Sequence, residues 1–240
     1  MKRIILMLAL LFSLAMRVGE SGAPISGTRV QFRVSITFDD GYVSAYRASS
    51  ILDKAGVKAT FFIISRCVGQ PNYMTREEVM RLAAEGHEIG SHTRNHPHLR
   101  RLSLARQESE IGGSLKDFSE WGLRPTSFAY PFGQYNDNSF IALKDAGFTA
   151  ARTTDAYKNN TNPYLLSGYT VNSKTKLKDI ITAIQNAQRN GKWLIIVFHR
   201  VDERFDNPIN TKHEIIQGLV DYLVQNKVKV VTIGQRATSK

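Results

Sequence analysis

Thr37-Phe38-Asp39-Asp40-Gly41-Tyr42 decides the reading of this chain. The residues just before it, 32–36, alternate apolar and polar, the period of a short strand. Two adjacent carboxylates then stand at the strand's end, ahead of a glycine that permits an unusual backbone turn. Neighbouring acids repel, and each raises the other's pKa unless a cation or hydrogen-bond donors intervene. A positive group is therefore expected beside them. Two other stretches answer that need. His92-Thr93-Arg94-Asn95-His96 offers two imidazoles four residues apart, and Val197-Phe198-His199 closes an apolar run on a third.

Working outward, strand signals recur at residues 58–64, 87–91, 126–130, 148–152, 164–171, 193–198 and 228–233. Helical signals separate them at 42–55, 75–85, 103–121, 136–146, 177–189 and 211–226, several stopped by a glycine. Thr75-Arg76-Glu77-Glu78 has the form of a capping box, and Gly112-Gly113 is expected to loosen or bend the long third helix. Residues 157–163 form a polar loop. Strands alternating with helices pair in parallel through right-handed crossovers. The fold class is α/β, an irregular (β/α) barrel of roughly seven to eight parallel strands, with a doubly wound open sheet as the alternative. No Gly-x-Gly-x-x-Gly follows the first strand, which excludes the usual dinucleotide signature. Internal repeats are absent.

The 240 residues, 42% of them hydrophobic, suffice for one large core and one domain. The N-terminus differs in kind. Lys2 and Arg3 precede an apolar run over residues 4–15, and Ser13, Ala15 and the stretch 19–23 offer small residues for cleavage. That is the layout of a secretory signal peptide over residues 1–23, leaving 24–240 as the working domain; a retained N-terminal anchor is the alternative. The expected location is secreted, periplasmic or cell-surface. Net charge is +11, and removal of Lys2 and Arg3 lowers it by two. A basic chain favours anionic cell-wall or membrane surfaces. Its Lys and Arg are scattered without a basic tract interleaved with aromatics, so nucleic acid is not an expected partner. Cys67 is the only cysteine, which rules out an internal disulfide, and it reads as a partly buried structural thiol.

In such a barrel the C-terminal ends of the strands carry function. Asp39, Asp40, His92, His96, Tyr130, Pro131, Phe132, Arg152, Asp155 and His199 all follow strands and so fall on one face. One helical turn would place His92 and His96 on the same side. Two imidazoles and a carboxylate make a three-ligand site with positions left for water and substrate, and Zn²⁺ is the first choice among divalent transition metals. His98 lies beyond Pro97 and reads as surface, while His87 and His213 stand in no motif.

Thr37-Phe38-Asp39-Asp40-Gly41 and His92-Thr93-Arg94-Asn95-His96 resemble the first two motifs of the polysaccharide deacetylases, carbohydrate esterases with a nodulation-protein-like deacetylase domain. Ala59-Thr60-Phe61-Phe62 is similar to that family's second strand, and the resemblance extends over about residues 34–233. It implies that Asp40, His92 and His96 hold the metal, that Asp39 is the general base and that His199 is the general acid. It implies hydrolysis of N-acetyl groups on an N-acetylglucosamine-containing polysaccharide. The third motif departs from the commonest pattern: Ala129 stands at the arginine position of Ala129-Tyr130-Pro131-Phe132-Gly133, a form similar to the Tyr-Pro-Phe-Gly variant of exported poly-N-acetylglucosamine deacetylases. The segment implies a groove wall, with the Tyr130 amide as oxyanion donor. Arg152 is expected to replace the missing arginine beside Asp39, and Asp155 is the candidate to orient His199. An amidase or deformylase on a small or lipid-linked sugar amide, and a catalytically silent wall-binding module, are the other readings. Oligomeric state is not legible.

Overall fold

A computed structural model describes residues 32–155, 160–203 and 207–238. The segment read as an export signal, and three positions of the 157–163 region with their neighbour 156, lie outside the described residues. Seven strands form one parallel sheet: β1 (Arg33–Phe38), β2 (Thr60–Ile63), β3 (Glu88–Ser91), β4 (Ser127–Ala129), β5 (Ala150–Arg152), β6 (Gly168–Thr170) and β7 (Trp193–Phe198). Their spatial order is β5-β4-β3-β2-β1-β7-β6. A parallel bridge from Arg152 to Leu166, just ahead of β6, joins the two edges. Thr153 N–H donates to the Leu166 carbonyl at 2.7 Å and Leu166 N–H to Ala151 at 3.0 Å. The sheet is thus a nearly closed barrel, as the alternation of strands and helices predicts.

Closure depends on one close approach. A Cβ on Gly168 would meet Val197 Cγ2 at 2.8 Å and the Thr153 carbonyl at 2.9 Å. No larger residue fits where β6 crosses between its neighbours. This crossing also explains why the expected strand at 164–171 is cut to three residues: its first half serves β5 and its second half β7.

Period-two alternation sorts the strand residues. Val34, Ile36, Phe38, Phe61, Ile63, Ile196 and Phe198 pack outward with α1 (Val43–Lys54), α2 (Arg76–Ala84), α5 (Leu177–Arg189) and α6 (His213–Gln225). The other parity gives a second apolar cluster, Phe62, Ala129, Ala150, Leu166, Trp193 and Ile195, closed by Ile233. Small polar residues of that inward set bond locally, Ser35 to the Val231 carbonyl at 2.6 Å and Thr37 to the Ile196 carbonyl at 3.1 Å. Continuing the alternation to and past the strand ends, Asp39, His92, Arg152 and His199 occupy inward positions. Helices α3 (Leu104–Glu120) and α4 (Asp137–Asp145) cover the β4–β5 side around Phe128, Phe148 and Tyr130.

Two expectations need correction. The last strand at 228–233 does not form: Val230 makes a single bridge to Val34, and α7 (Ile233–Thr238) starts instead. Thr232 and Gln235 cap each other there, with Thr232 N–H donating to Gln235 Oε1 at 3.1 Å, and this local pairing ends the extended run. A short parallel pair, β8 (Arg200–Val201) with β9 (Asn210–Thr211), follows β7 outside the barrel. α3 runs unbroken through Gly112-Gly113. The capping box at Thr75 and Glu78 is present as read. Among the described residues no helix is long and apolar enough to cross a membrane.

Candidate active site

Asp39 and Asp40 follow β1 but face different partners. The Asp40 backbone takes φ 73°, followed by Gly41 at 83°. That turn leaves Asp39 on the inward side and swings Asp40 toward the β3 loop. Asp40 Oδ1 lies 3.4 Å from His92 Nε2 and 3.5 Å from His96 Nε2, and the two imidazole nitrogens are 3.2 Å apart. A tetrahedral ion with bonds of about 2.0–2.2 Å requires ligand atoms roughly 3.3–3.6 Å from one another. The three atoms therefore fit a small divalent ion without rearrangement.

Ligand chemistry agrees with the spacing. His92 Nδ1 sits 2.7 Å from the Ala129 carbonyl, which only an N–H can approach that closely. Burial opposes the charged form of His92, but the Asp40 hydrogen bond and the charges of Asp39 and Asp40 raise the pKa of the ring. When the Nε2 proton is given up to an ion, the lone pair points between Asp40 and His96, the arrangement that orients a metal-binding imidazole. Burial works against an ionised Asp40, but the hydrogen bond and charge of His92, with His199 and His96, hold its carboxyl down at about 2. Burial and the charge of His92 press His96 down to about 4. At neutral pH the group thus offers one anionic oxygen and an uncharged His96.

Asp39 is 2% exposed. Arg152, fully buried, places Nη2 at 2.5 Å from both Asp39 oxygens, and its Nη1 donates to the Thr153 carbonyl at 3.1 Å. The guanidinium also stands 5.3 Å from the centre of the Phe62 ring. One nitrogen thus meets both Asp39 oxygens while the Thr153 carbonyl fixes the guanidinium plane, and the group supplies the countercharge that a buried carboxylate needs. His199 points Nε2 toward Asp39 Oδ2 at 3.9 Å, too long for a hydrogen bond. Five of the residues singled out in the sequence, Asp39, Asp40, His92, His96 and His199, thus converge, and Arg152 joins them.

Two others do not take the places expected of them. The Tyr130 N–H donates to the Arg152 carbonyl at 3.0 Å as part of the β4–β5 ladder, so it is not available as an oxyanion donor. Pro131 has no N–H. The next amide, that of Phe132, makes no hydrogen bond among the described residues. Asp155 does not bond His199: its carbonyl accepts from Ser167, its N–H donates to Thr153 Oγ1 at 3.2 Å, and His199 Nδ1 is buried with no partner among the described residues.

His98, read as surface, belongs to the site's rim. Its ring stacks on Phe132 with centroids 4.0 Å apart, and its Nδ1 lies 3.1 Å from Gln134 Oε1. Phe132 is half exposed, takes φ 58°, and sets its ring 4.5 Å from His96. Nothing in local spacing links residues 98 and 132; a fold was needed to bring them together. On the opposite side Tyr42 stacks on Tyr73 at 5.0 Å, with the Arg200 guanidinium 5.5 Å from the Tyr42 ring. Cys67 is half-buried, and burial raises its thiol above the ordinary range, as suits a structural role.

Known proteins are similar to this chain. The family model "Polysaccharide deacetylase" matches residues 26–151, more than half of the chain. A peptidoglycan-N-acetylglucosamine deacetylase of Bacillus cereus is 35% identical over 48% of this chain and 53% of its own length. A chitin deacetylase of Arthroderma benhamiae is 33% identical over 89% of this chain and 54% of its own. The chain spans about half the length of the curated relatives it matches. Among solved structures, the peptidoglycan deacetylase PdaC of Bacillus subtilis aligns with a TM-score of 0.61 at 24% identity, covering 86% of this chain and 90% of that one. A family 4 carbohydrate esterase of Streptomyces lividans gives 0.61 at 21% identity, over 82% and 91%. At these identities the structural likeness is one of fold, whereas the sequence match carries the assignment: this chain belongs to the polysaccharide deacetylase family.

Proposed function

We propose that this chain is a metal-dependent hydrolase that removes N-acetyl groups from an N-acetylglucosamine-containing polysaccharide outside the cytoplasm. The observation that carries the reading is the 3.2–3.5 Å triangle of Asp40 Oδ1, His92 Nε2 and His96 Nε2 beside a buried Asp39–Arg152 pair. Asp40, His92 and His96 hold the ion, Zn²⁺ being the first choice. When bound, it supplies Lewis acidity, polarising the amide carbonyl and acidifying a water.

Asp39 takes the proton of the attacking water as general base. Arg152 fixes its orientation in a buried place. His199, across 3.9 Å from Asp39, gives a proton to the departing amine nitrogen as general acid. The Phe132 amide is the first free N–H of the turn after β4 and is the donor placed for the developing oxyanion, in which role a backbone amide supplies a few kcal/mol. The exposed Phe132 ring, stacked on His98, gives a sugar ring an apolar face beside the site. The relatives' substrates, peptidoglycan and chitin by their names, support a polymer of N-acetylated sugars. The basic charge of the chain suits an anionic wall, and Lys2, Arg3 and the apolar run 4–15 suit export.

The test is acetate release from chitin oligomers, poly-N-acetylglucosamine and peptidoglycan by metal-stripped and reconstituted protein, with Asp39→Asn alongside. Metal-dependent release from at least one polymer, lost in Asp39→Asn, is expected. Absence of metal-dependent release from all three overturns the reading.

A further inference from the structure

The stretch between His92 and His96 has no regular structure, and two of its residues hold positive φ, Thr93 at 67° and His96 at 58°. For a β-branched residue this backbone is strained, and it persists only where its surroundings over-determine it. One face of α3 does so. Glu110, Gly113 and Asp117 are spaced by three and four residues and share that face. Glu110 accepts the Asn95 backbone N–H at 2.9 Å on one oxygen and the Asn95 side-chain amide at 2.8 Å on the other. Asp117 accepts Arg94 Nε at 3.0 Å and Nη2 at 2.9 Å, and the Ser65 hydroxyl at 2.6 Å. Between the two acids, a Cβ on Gly113 would come within 3.0 Å of Arg94 Cδ. Glycine there lets the arginine lie along the helix. Gly112, one position away, would meet nothing within 4 Å. Within the loop itself, Thr93 Oγ1 accepts the His96 N–H at 2.9 Å.

We infer that Glu110 and Asp117 are positioning residues that hold the histidine loop in its ion-ready shape. The inference rests on the reading that Asp40, His92 and His96 bind a divalent ion. Neither acid belongs to that ligand group. Each acts through the backbone carrying His96. Released from α3, the loop relaxes out of its left-handed turns and His96 Nε2 leaves the triangle. Binding must then gather the ligand first, and the apparent affinity falls by the fraction of chains in the competent shape.

The test is a Zn²⁺ titration of metal-stripped wild type, Glu110→Ala and Glu110→Gln against a chelator of known affinity, with melting curves of the same metal-free samples. Glu110→Gln keeps the length and helical preference of the side chain but replaces one acceptor by a donor, so it reports even if the alanine variant folds poorly. Glu108→Ala, from the exposed side of the same helix, is the control. Zn²⁺ affinity is expected to fall about tenfold in Glu110→Ala and by less in Glu110→Gln. Metal-free melting should shift by only about 2 °C, and acetate release should return at saturating Zn²⁺. Wild-type affinity in both Glu110 variants, or an equal loss in Glu108→Ala, overturns the inference while leaving the metal site standing. A wild type that binds no Zn²⁺ overturns the metal reading itself.

Discussion

Two acid–histidine clusters lie at opposite ends of the barrel, Asp40 with His92 and His96, and Asp53 with Glu85 and His87. Both have the composition and spacing of a metal site. Hydrogen placement separates them. His92 gives its Nδ1 hydrogen to the Ala129 carbonyl at 2.7 Å, which leaves Nε2 as the nitrogen that can bind an ion. His87 Nδ1 instead accepts the Ala59 N–H at 3.1 Å, so in the neutral ring Nε2 carries the hydrogen and donates it to Asp53 at 3.1 Å. Lys58 already neutralises that Asp53 at 2.6 Å. His87 thus has no lone pair left for a cation, and Glu85 is already paired with Arg81 at 3.6 Å. The second cluster ties the end of α1 to the starts of β2 and β3, on the N-terminal face where such a barrel invests in stability. The same residue types thus build a reaction site at one end and a rivet at the other, and the partner of each Nδ1 decides which.

The comparison breaks most readily at its largest expected effect. Asp40→Ala or His92→Ala should abolish ion binding and lower acetate release about 10³-fold, the loss of several kcal/mol of charge stabilisation; metal analysis and a turnover assay check both. Asp39→Asn should lower kcat by roughly 10²–10⁴-fold with the ion retained. Arg152→Lys keeps the charge but not the guanidinium plane that the Thr153 carbonyl anchors against Asp39, so its turnover should fall while metal content stays that of the wild type. At the other cluster the sign of the outcome inverts. His87→Phe keeps a ring against Phe61 but strands the Ala59 N–H, and urea unfolding should show a loss of about 1–3 kcal/mol with metal content and kcat unchanged.

The smallest effect is one of pH. Burial pushes the His87 imidazole below its ordinary value, against the pull of Asp53. The fold favours the neutral ring, so its contribution is fully present above the unfolded pKa of about 6.5 and is lost as pH falls through the folded value. The stability gap between wild type and His87→Phe should therefore narrow from about pH 7 to pH 5. A gap that widens would mean that His87 is favoured charged.

The parallel barrel was legible because its strands and helices carry opposite periodicities, and because Asp39, His92, Arg152 and His199 each follow a strand. What sequence could not supply was competition for backbone groups. The Tyr130 N–H looked free until β5 was paired beside it. Asp155 follows the right strand, yet its backbone is held by Thr153 and Ser167 and His199 Nδ1 receives no bond from it. Nor did any pattern along the chain connect Phe132 with His98, or Asn95 with Glu110, because these contacts cross between elements. The run at 228–233 is apolar enough for a strand, but the reciprocal cap between Thr232 and Gln235 turns it into a helix.

The most direct test of the difference between the two clusters is Co²⁺ titration of the metal-free protein, followed by the visible absorption of the bound ion. The account expects saturation at a single site, the same spectrum in His87→Phe, and no spectrum in His92→Ala. A spectrum that survives in His92→Ala, or vanishes in His87→Phe, would contradict it.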